Sequence, residues 1–340
     1  TQRIYISYDS SNKNCSAGDI DLIEYGKAKD NKGIPIFNLA IAFDKSNRVP
    51  LFYEEYPGSI TDVSQFVHMV DKVTEYGYKK VGFILDRGYF SKDNIRYMEE
   101  GGYAFVIMVK GRKALVSSLV LENRGTFETD RDHSIRSCHV YGKTVKARLY
   151  EDDTKDRYFH IYFNPSKHAA EREHFEQTLD RIKIYLEKHI GDVITSSKVC
   201  QEYFVLKFDK SGRLASYTER KDVIRRELDL CGYFCIVTSE EMTASQALIH
   251  YKGRDVSEKL FSADKSFIGS KSMRVQTAQS LSAKIFVEFI ALIVRTRMYN
   301  LLKETMLRLE SKPNYMTVPA ALRELEKIEL VKQQSNGHYR

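Results

Sequence analysis

The stretch Lys80-Val-Gly-Phe-Ile-Leu-Asp86-Arg-Gly88 decides the expected fold of this chain. Its apolar run is typical of a strand that is buried on both faces, as in the centre of an α/β sheet. The strand ends in an aspartate, and Arg87-Gly88 indicates a turn. Functional groups are commonly carried by the loops at the ends of such strands. The stretch therefore predicts a central strand with an acidic group at its end.

A second acid ends the first predicted strand. Residues 3–9 are rich in β-branched and aromatic side chains, end in Asp9 and precede the turn-prone Ser10-Ser11-Asn12. We expect Asp9 and Asp86 to converge at neighbouring strand ends, although Asp9 alone could equally be an acid in a surface turn. The other predicted elements up to residue 110 are strands at 35–43 and 49–56, a helix capped by Asp62 and closed by Gly77, a helix from Ser91 to about Glu100, and a strand at 103–109.

A third feature is the pattern Tyr251-x2-Arg254-x3-Glu258-x6-Lys265. On a continuous helix, these spacings place all four side chains within a stripe roughly 60° wide. A carboxylate flanked by two cations and a phenol is suited to holding a metal ion beside a phosphate backbone. The alternative is a solvated helix face with charge pairs four residues apart.

Asp9, the Asp86-Arg87-Gly88 turn and the pattern from Tyr251 to Lys265 together resemble the DDE transposases of bacterial insertion sequences, in the group typified by insertion sequence four. The resemblance implies an α/β fold: a ribonuclease-H-like catalytic core, with a mixed sheet and flanking helices, interrupted by a β-rich insertion domain. The sequence predicts a long helix in this insertion, which is a departure from the relatives or an elaboration on them. It also implies that Glu258 is the third catalytic carboxylate, after Asp9 and Asp86. Tyr251, Arg254 and Lys265 would then bind DNA phosphates near the transposon end.

The chemistry that follows from three carboxylates is metal-dependent. Cutting a phosphodiester and joining a 3′ hydroxyl to a new strand are both in-line displacements at phosphorus, which one site with two divalent ions can perform. Carboxylates are the hard oxygen ligands that Mg²⁺ or Mn²⁺ prefers. We expect Asp9 to bridge the two ions, Asp86 to bind one and Glu258 to bind the other.

The predicted division of the chain has four parts. They are residues 1–110 as the first part of the catalytic core, 111–230 as the insertion domain, 231–305 as the second part of the core, and 306–340 as a C-terminal helical segment. Within the insertion we expect strands at 143–150, 157–163 and 202–208 and a helix at about 168–190. This region could also be simply a second structural domain. The C-terminal part includes a helix from Thr317 to about Val331, which is either a dimer element or a solvated terminal helix.

The strand predicted at 233–238 carries two candidates for stacking on a DNA base, Tyr233 and Phe234. Some relatives use a tryptophan on this strand to stack on a base near the cleaved end, and aromatic faces bind bases in this way. This sequence contains no Trp. An aromatic residue in a buried strand is otherwise an ordinary core residue.

Charge and composition favour DNA as the partner. The formal net charge is +7, and residues 251–303 hold ten Lys or Arg but only four acids. A clustered basic surface beside a carboxylate site indicates a polyanion such as DNA. The resemblance to transposases implies that this partner is the double-stranded DNA of transposon ends and target. No apolar run approaches the length of a membrane span, so we expect no membrane association.

Five cysteines without a Cys-x-x-Cys pair argue against a disulfide framework or zinc ribbon and favour a reducing cytoplasm. The resemblance to transposases implies association with the nucleoid. We interpret His160, His168 and His174 as structural residues and not as metal ligands.

Three functions remain open at this stage. The first is a transposase catalytic domain, acting as a homodimer in the synaptic complex. The second is an inactive or truncated DNA-binding protein derived from a transposase, and the third is a metal-dependent nuclease on the same core. The chain begins at Thr1 without an initiator Met, which favours a fragment. We therefore do not expect it to recognise a specific transposon end by itself.

Overall fold

The computed structural model describes most of the chain and divides it into two compact units. Unit 1 comprises Thr1–Tyr103 and Gly253–Arg340, and unit 2 comprises Ala104–Lys252. The described residues are 3–28, 31–110, 113–195, 197–255, 261, 272–309, 316–329, 334–335 and 338–339.

The chain contains fourteen described strands, which we number in chain order. They are β1 (Ile4–Cys15), β2 (Ile36–Asp44), β3 (Val49–Pro57), β4 (Val81–Leu85), β5 (Ala104–Met108), β6 (Ser134–Ile135), β7 (Val140–Ala147), β8 (Arg157–Phe163), β9 (Phe204–Phe208), β10 (Leu214–Glu219), β11 (Tyr233–Thr238), β12 (Ser272–Met273), β13 (Gln334–Ser335) and β14 (His338–Tyr339).

The described α-helices are α1 (Asp62–Glu75), α2 (Lys92–Glu100), α3 (Lys113–Asn123), α4 (Pro165–Lys188), α5 (Lys198–Tyr203), α6 (Lys221–Leu230), α7 (Ala244–Lys252), α8 (Ala278–Arg308) and α9 (Val318–Leu325). None of them has the combination of length and apolar character that a bilayer span requires. Strands and helices alternate along much of the chain, so the fold is mixed α/β.

Unit 1 is built on a mixed sheet in which β1 is central. The strand order is β3-β2-β1-β4, and β12 pairs with the far end of β1. β2 runs antiparallel to β1 and β3, whereas β4 and β12 run parallel to β1. β2 is buried along its whole length, and β4 is buried throughout, as its apolar sequence predicts.

The first strand is longer than its sequence predicts. We expected it to end at Asp9, but it continues to Cys15, and β2 pairs with it from Ile6 to Asn14. Its polar second half is buried because distant groups satisfy it: Asn12 and Asn14 donate to backbone carbonyls of the loop that follows the strand. Buried polar groups are tolerated when they are hydrogen-bonded.

One face of the unit 1 sheet is covered by α8. Apolar side chains of the strands form a core with two residues of this helix, Leu281 and Ile285. The strand residues are Cys15 of β1, Phe37 and Leu39 of β2, and Met273 of β12. A second cluster joins Ile41 and Phe43 of β2 to Phe289 and Leu292 of α8. A buried ion pair lies on this face, because Lys13 Nζ donates to Glu288 Oε2 at 2.8 Å and both side chains are almost fully buried. The helix is therefore attached to β1 by apolar packing and by charge.

Tyr8 of β1 belongs to an aromatic cluster with α1 and the turn after β4. Phe66 of α1 packs edge-on against Phe83, and Tyr89 contacts both Phe66 and Tyr8. Ser91 caps α2 by accepting a hydrogen bond from the Asn94 amide, as predicted. The N-cap of α1 is Thr61, one residue before the predicted Asp62.

Unit 2 has its own antiparallel sheet, in the order β5-β11-β8-β7-β6. β8 and β11 have the boundaries that the sequence predicts. α7 lies across this sheet, and Tyr162 donates its hydroxyl to the Ala244 carbonyl at 2.8 Å. Gly142 allows the close approach, since a Cβ there would lie 2.9 Å from that of Ala244. His160 is fully buried between Thr144 and Thr238, each 2.9 Å from one ring nitrogen, and burial lowers its pKa to about 4.

The rest of unit 2 is a small helix and hairpin assembly. β9 and β10 form an antiparallel hairpin, and the long helix α4 packs on it with α5 through Leu179, Leu186 and Phe204. The long helix that the sequence predicts at about 168–190 is thus present at Pro165–Lys188. The C-terminal helix α9 ends at Leu325, shorter than predicted.

Candidate active site

The register of the unit 1 sheet brings Asp9 and Asp86 together. β4 pairs in parallel with the first half of β1, and the last matched residues are Tyr8 and Leu85. Asp9 follows Tyr8 and Asp86 follows Leu85, and adjacent strands lie about 4.8 Å apart. The convergence predicted from the sequence is therefore present, although Asp9 lies within a strand and not at its end.

The backbone orients both carboxylates in the same way. Asp9 Oδ1 accepts a hydrogen bond from the Ser10 amide at 2.9 Å, and Asp86 Oδ1 accepts one from the Arg87 amide at 2.8 Å. Asp86 also forms the N-cap of the single 3₁₀ turn Arg87–Tyr89. In each aspartate, the amide of the following residue thus fixes one carboxylate oxygen. This hydrogen bond also sets the direction of the second oxygen.

The second oxygens of both aspartates point to one cation. Arg254 Nη1 lies 3.8 Å from Asp9 Oδ2 and 3.8 Å from Asp86 Oδ2. The two Oδ2 atoms are therefore no more than twice that distance apart. The Asp9 and Arg254 side chains are mostly buried, at 16% and 15% exposure, whereas Asp86 is 36% exposed. Two formal negative charges and one positive charge thus share a site that opens to solvent on the Asp86 side.

The prediction that one continuous helix carries the pattern from Tyr251 to Lys265 is wrong between Tyr251 and Arg254. α7 ends at Lys252, and Gly253 and Arg254 form a turn, so Tyr251 and Arg254 do not share one continuous helix. Glycine is a poor helix former, which explains the break. Tyr251 lies on the buried face of α7, at the helical spacing that it forms with Ala244, Ala247 and Leu248. Its side chain is buried.

Two predicted site residues, Glu258 and Lys265, lie outside the described residues. The third carboxylate and the second phosphate-binding cation therefore have no described position. Within the described parts of the chain, there is no group of three or more His, Cys, Asp or Glu residues that could hold a metal ion. The described site consists of Asp9, Asp86 and Arg254.

The two aspartates are suitable ligands for a divalent ion. Mg²⁺ and Mn²⁺ prefer carboxylate oxygens, and here two such oxygens are directed at one positive group. The fixed Oδ1 atoms mean that little side-chain entropy remains to be lost when a ligand binds. The residues therefore fit the metal that the sequence predicts, with Asp9 and Asp86 as ligands.

The base-stacking candidates Tyr233 and Phe234 lie on β11 in unit 2 and are half-buried. The Phe234 ring stacks on Tyr162 with centroids 4.9 Å apart, and Lys167 Nζ lies 5.6 Å from its centroid. Tyr233 donates its hydroxyl to Glu128 and packs against Phe163. Both rings therefore have protein partners of the kind found in a core.

Sequence reasoning missed the buried ion pair on the same face of β1. Lys13 follows Asp9 by four residues on β1, so alternation along a strand places both on the same face, where Lys13 contacts Glu288. The available signal was Glu288 itself, which interrupts the apolar run Phe286–Val294. An acid in the apolar face of a helix needs a buried partner, but its identity is not visible in the sequence.

Comparisons with known proteins bear on this arrangement. The structure of the Mos1 transposase paired-end complex with left transposon end is similar to part of the chain, at 14% identity and a TM-score of 0.22. The match covers 30% of this chain and 34% of that one, so this chain spans about a third of the Mos1 chain. That likeness is too weak to support an argument. No curated protein has a significant match to this chain.

A family profile described as "Transposase DDE domain" matches residues 13–294. The match includes Asp86, Arg254 and Glu258, and it starts four residues after Asp9. It spans well over half of the sequence, and the chain therefore belongs to the DDE transposase domain family.

Proposed function

We propose that this chain is the catalytic domain of a DDE transposase, which cuts DNA strands at transposon ends and transfers the resulting 3′ ends to a target. Family membership supports a transposase. The observation that carries the specific chemistry is the convergence of Asp9 and Asp86 on one cation. A structural ion pair requires one carboxylate, whereas a site for phosphoryl transfer requires several carboxylates directed at one place.

The fold assigned by this proposal is a ribonuclease-H-like core. Residues 1–110 and 231–305 form the core, 111–230 form an insertion domain, and 306–340 form a C-terminal helical segment. The strand order β3-β2-β1-β4 supports this assignment, because a long central strand and its parallel neighbour carry the two aspartates.

In the proposed site, Asp9, Asp86 and Glu258 hold two Mg²⁺ or Mn²⁺ ions. When bound, the ions supply charge stabilisation for the attacking and leaving oxygens of the phosphodiester. The amides of Ser10 and Arg87 keep the two aspartates in place before and after each step. This fixed geometry allows one site to serve both cutting and joining.

The remaining predicted residues bind DNA in this proposal. Arg254 and Lys265 contact phosphates. Arg254 forms bidentate hydrogen bonds, and Lys265 acts as a mobile point charge. Tyr251 contributes through its hydroxyl, since its ring is packed in α7. Tyr233 or Phe234 stacks on a base only if it leaves its present protein partners. The partner is double-stranded DNA, bound by a homodimer in the cytoplasm at the nucleoid.

The experiment is a strand-cleavage assay on transposon-end DNA with Mg²⁺. Asp9→Asn, Asp86→Asn and Glu258→Gln should each reduce cleavage by about three orders of magnitude or more, as expected when a catalytic group is removed. In the absence of a divalent ion, DNA binding should remain within about threefold of the unmodified protein, because no positive charge is lost. The matched control is Asp19→Asn, which changes an exposed aspartate of the same unit and should cleave normally.

The alternative functions give different results in the same assay. A protein that binds DNA without catalysis would show no metal-dependent cleavage in any variant. A nuclease would cut but would not join a pre-cut 3′ end to target DNA. Joined products from a pre-cut end, lost in Asp9→Asn, would support strand transfer.

A further inference from the structure

Arg254 occupies the place where the two aspartates converge. Its Nη1 atom is equally distant from Asp9 Oδ2 and Asp86 Oδ2, at 3.8 Å from each. These separations are longer than a direct hydrogen bond, which for N–H···O extends to about 3.2 Å. The contact is therefore an ion pair without tight directional bonding, in which one guanidinium lies near two carboxylates.

We propose that Arg254 is a positioning residue that couples metal binding to DNA binding. When no divalent ion is bound, its guanidinium neutralises Asp9 and Asp86. When an ion binds these carboxylates, the guanidinium leaves them and binds a phosphate of the DNA. This inference rests on the proposed function, because it assumes that Asp9 and Asp86 are metal ligands.

The geometry supports competition between the guanidinium and a metal ion. Backbone amides fix Oδ1 of each aspartate, so the Oδ2 atoms cannot easily turn away to serve a second cation elsewhere. A divalent ion bound to the same oxygens would lie close to the guanidinium, and like charges at such distances repel strongly in a partly buried site. The guanidinium and the metal ion therefore compete for the carboxylates, and each lowers the affinity of the other for them.

The location of Arg254 supports its movement to a phosphate. It lies in the two-residue turn after α7, next to Gly253, and the site opens to solvent beside Asp86. An arginine side chain is long, and its planar fork matches phosphate as well as carboxylate. The same group can therefore satisfy either the aspartates or the DNA.

Competition of this kind produces cooperative binding of metal and DNA. A DNA phosphate that attracts the guanidinium removes a competitor from the aspartates and raises their affinity for metal. Linkage requires that metal raise the affinity for DNA by the same factor. An arginine that binds phosphate alone, with no role at the carboxylates, would add nothing to the coupling that arises from direct contact between the ions and the DNA.

The test measures Mn²⁺ binding by calorimetry in the full chain, with and without a short DNA duplex, at constant ionic strength. Arg254→Gln should bind Mn²⁺ about tenfold more tightly than the unmodified protein when DNA is absent, which is within the usual range of such coupling. Arg254→Lys retains the charge and should remain close to the unmodified protein. Equal or weaker Mn²⁺ binding by Arg254→Gln would overturn the inference. Loss of a merely structural contact would weaken binding, so the direction of the change separates the two roles.

A second measurement needs no variant and covers the case in which Arg254→Gln does not fold. In the unmodified protein, the duplex should increase Mn²⁺ affinity about fivefold or more, and Mn²⁺ should increase DNA affinity equally. Absence of this coupling would overturn the inference. In Arg254→Gln the enhancement should fall to the part that arises from direct contact between the ions and the DNA, and an unchanged enhancement would overturn the inference.

Asp9→Asn separates failure of this inference from failure of the proposed function. If the unmodified protein binds Mn²⁺ and Asp9→Asn does not, the metal site stands and only the Arg254 results decide the inference. If the unmodified protein does not bind Mn²⁺, or Asp9→Asn binds it equally well, the proposed function fails and the inference fails with it.

Discussion

Two groups of charged side chains lie on the same face of β1, four residues apart, and they are held very differently. Lys13 and Glu288 form a buried pair with a 2.8 Å contact and no exposure at the lysine. Asp9, with Asp86 and Arg254, forms a group that is open at one end and whose ionic contacts are 3.8 Å long. We call the first group the buried pair and the second group the open triad.

The difference separates a structural role from a functional one. The buried pair has one charge of each sign, and it attaches α8 to β1, so replacing a member disturbs the core. Among the described residues, the open triad has one more negative than positive charge, its contacts with the guanidinium are longer than hydrogen bonds, and it opens to solvent beside Asp86. These are properties of a site that exchanges ligands. Proximity along one strand therefore does not imply a shared role.

The largest effect should come from breaking the buried pair. Glu288→Leu leaves the Lys13 ammonium buried without its partner, and we expect the free energy of unfolding to fall by about 3 to 5 kcal/mol. Chemical denaturation monitored by circular dichroism measures this loss. In the double variant Lys13→Met/Glu288→Leu most of the stability should return, because both charges are removed. A double variant as unstable as the single one would contradict this account.

A smaller effect should come from His160, whose buried ring lies between the hydroxyls of Thr144 and Thr238. Its pKa is lowered from 6.5 to about 4 by burial, so the unfolded chain binds a proton more readily than the folded one between these values. Stability from this group is complete above about pH 6.5 and is lost as the pH falls to about 4, by about 3 kcal/mol in total.

The measurement for His160 is the difference in unfolding free energy between pH 7 and pH 4 for the unmodified protein and for His160→Gln. Glutamine can still bond to both threonines but does not titrate. The pH-dependent loss should therefore be smaller in His160→Gln. Equal losses in both proteins would show that His160 does not control acid stability.

The smallest effect on stability should come from the open triad. Arg254→Gln should change the free energy of unfolding by about 1 kcal/mol or less, since its contacts with Asp9 and Asp86 are longer than hydrogen bonds and the site opens to solvent beside Asp86. Lys13→Met, on the same face of β1, is the matched comparison. It should lower the free energy of unfolding by several times as much as Arg254→Gln does. A large loss in Arg254→Gln would mean that the triad, like the buried pair, is mainly structural.

Much of the fold followed from local patterns in the sequence. β8 and β11 have the predicted boundaries because their apolar runs are bordered by clear turn signals. The end of β1 could not be predicted, since Ser10-Ser11-Asn12 has the composition of a turn. Its strand conformation depends on β2 and on carbonyls contributed by Lys27, Asn31 and Ile34, which are distant in the sequence.

Local patterns in the sequence also predicted part of the candidate site. Asp9 and Asp86 were identified because each follows a run with strand character, and the register of parallel strands aligns them. The contact of both with Arg254 was not predictable, because it depends on a turn at Gly253 that the helical spacing concealed. Periodicity describes a helix only where no glycine interrupts it.

The long sequence separation between Lys13 and Glu288 has a consequence for biosynthesis. The two residues are 275 positions apart, so the first strand emerges from the ribosome long before the helix that covers it. Until that helix is made, β1 exposes an apolar face and a lysine without its partner, the kind of surface that favours aggregation or chaperone binding. Nascent chains that stop before α8 should therefore be substrates for quality control and should not accumulate as folded fragments.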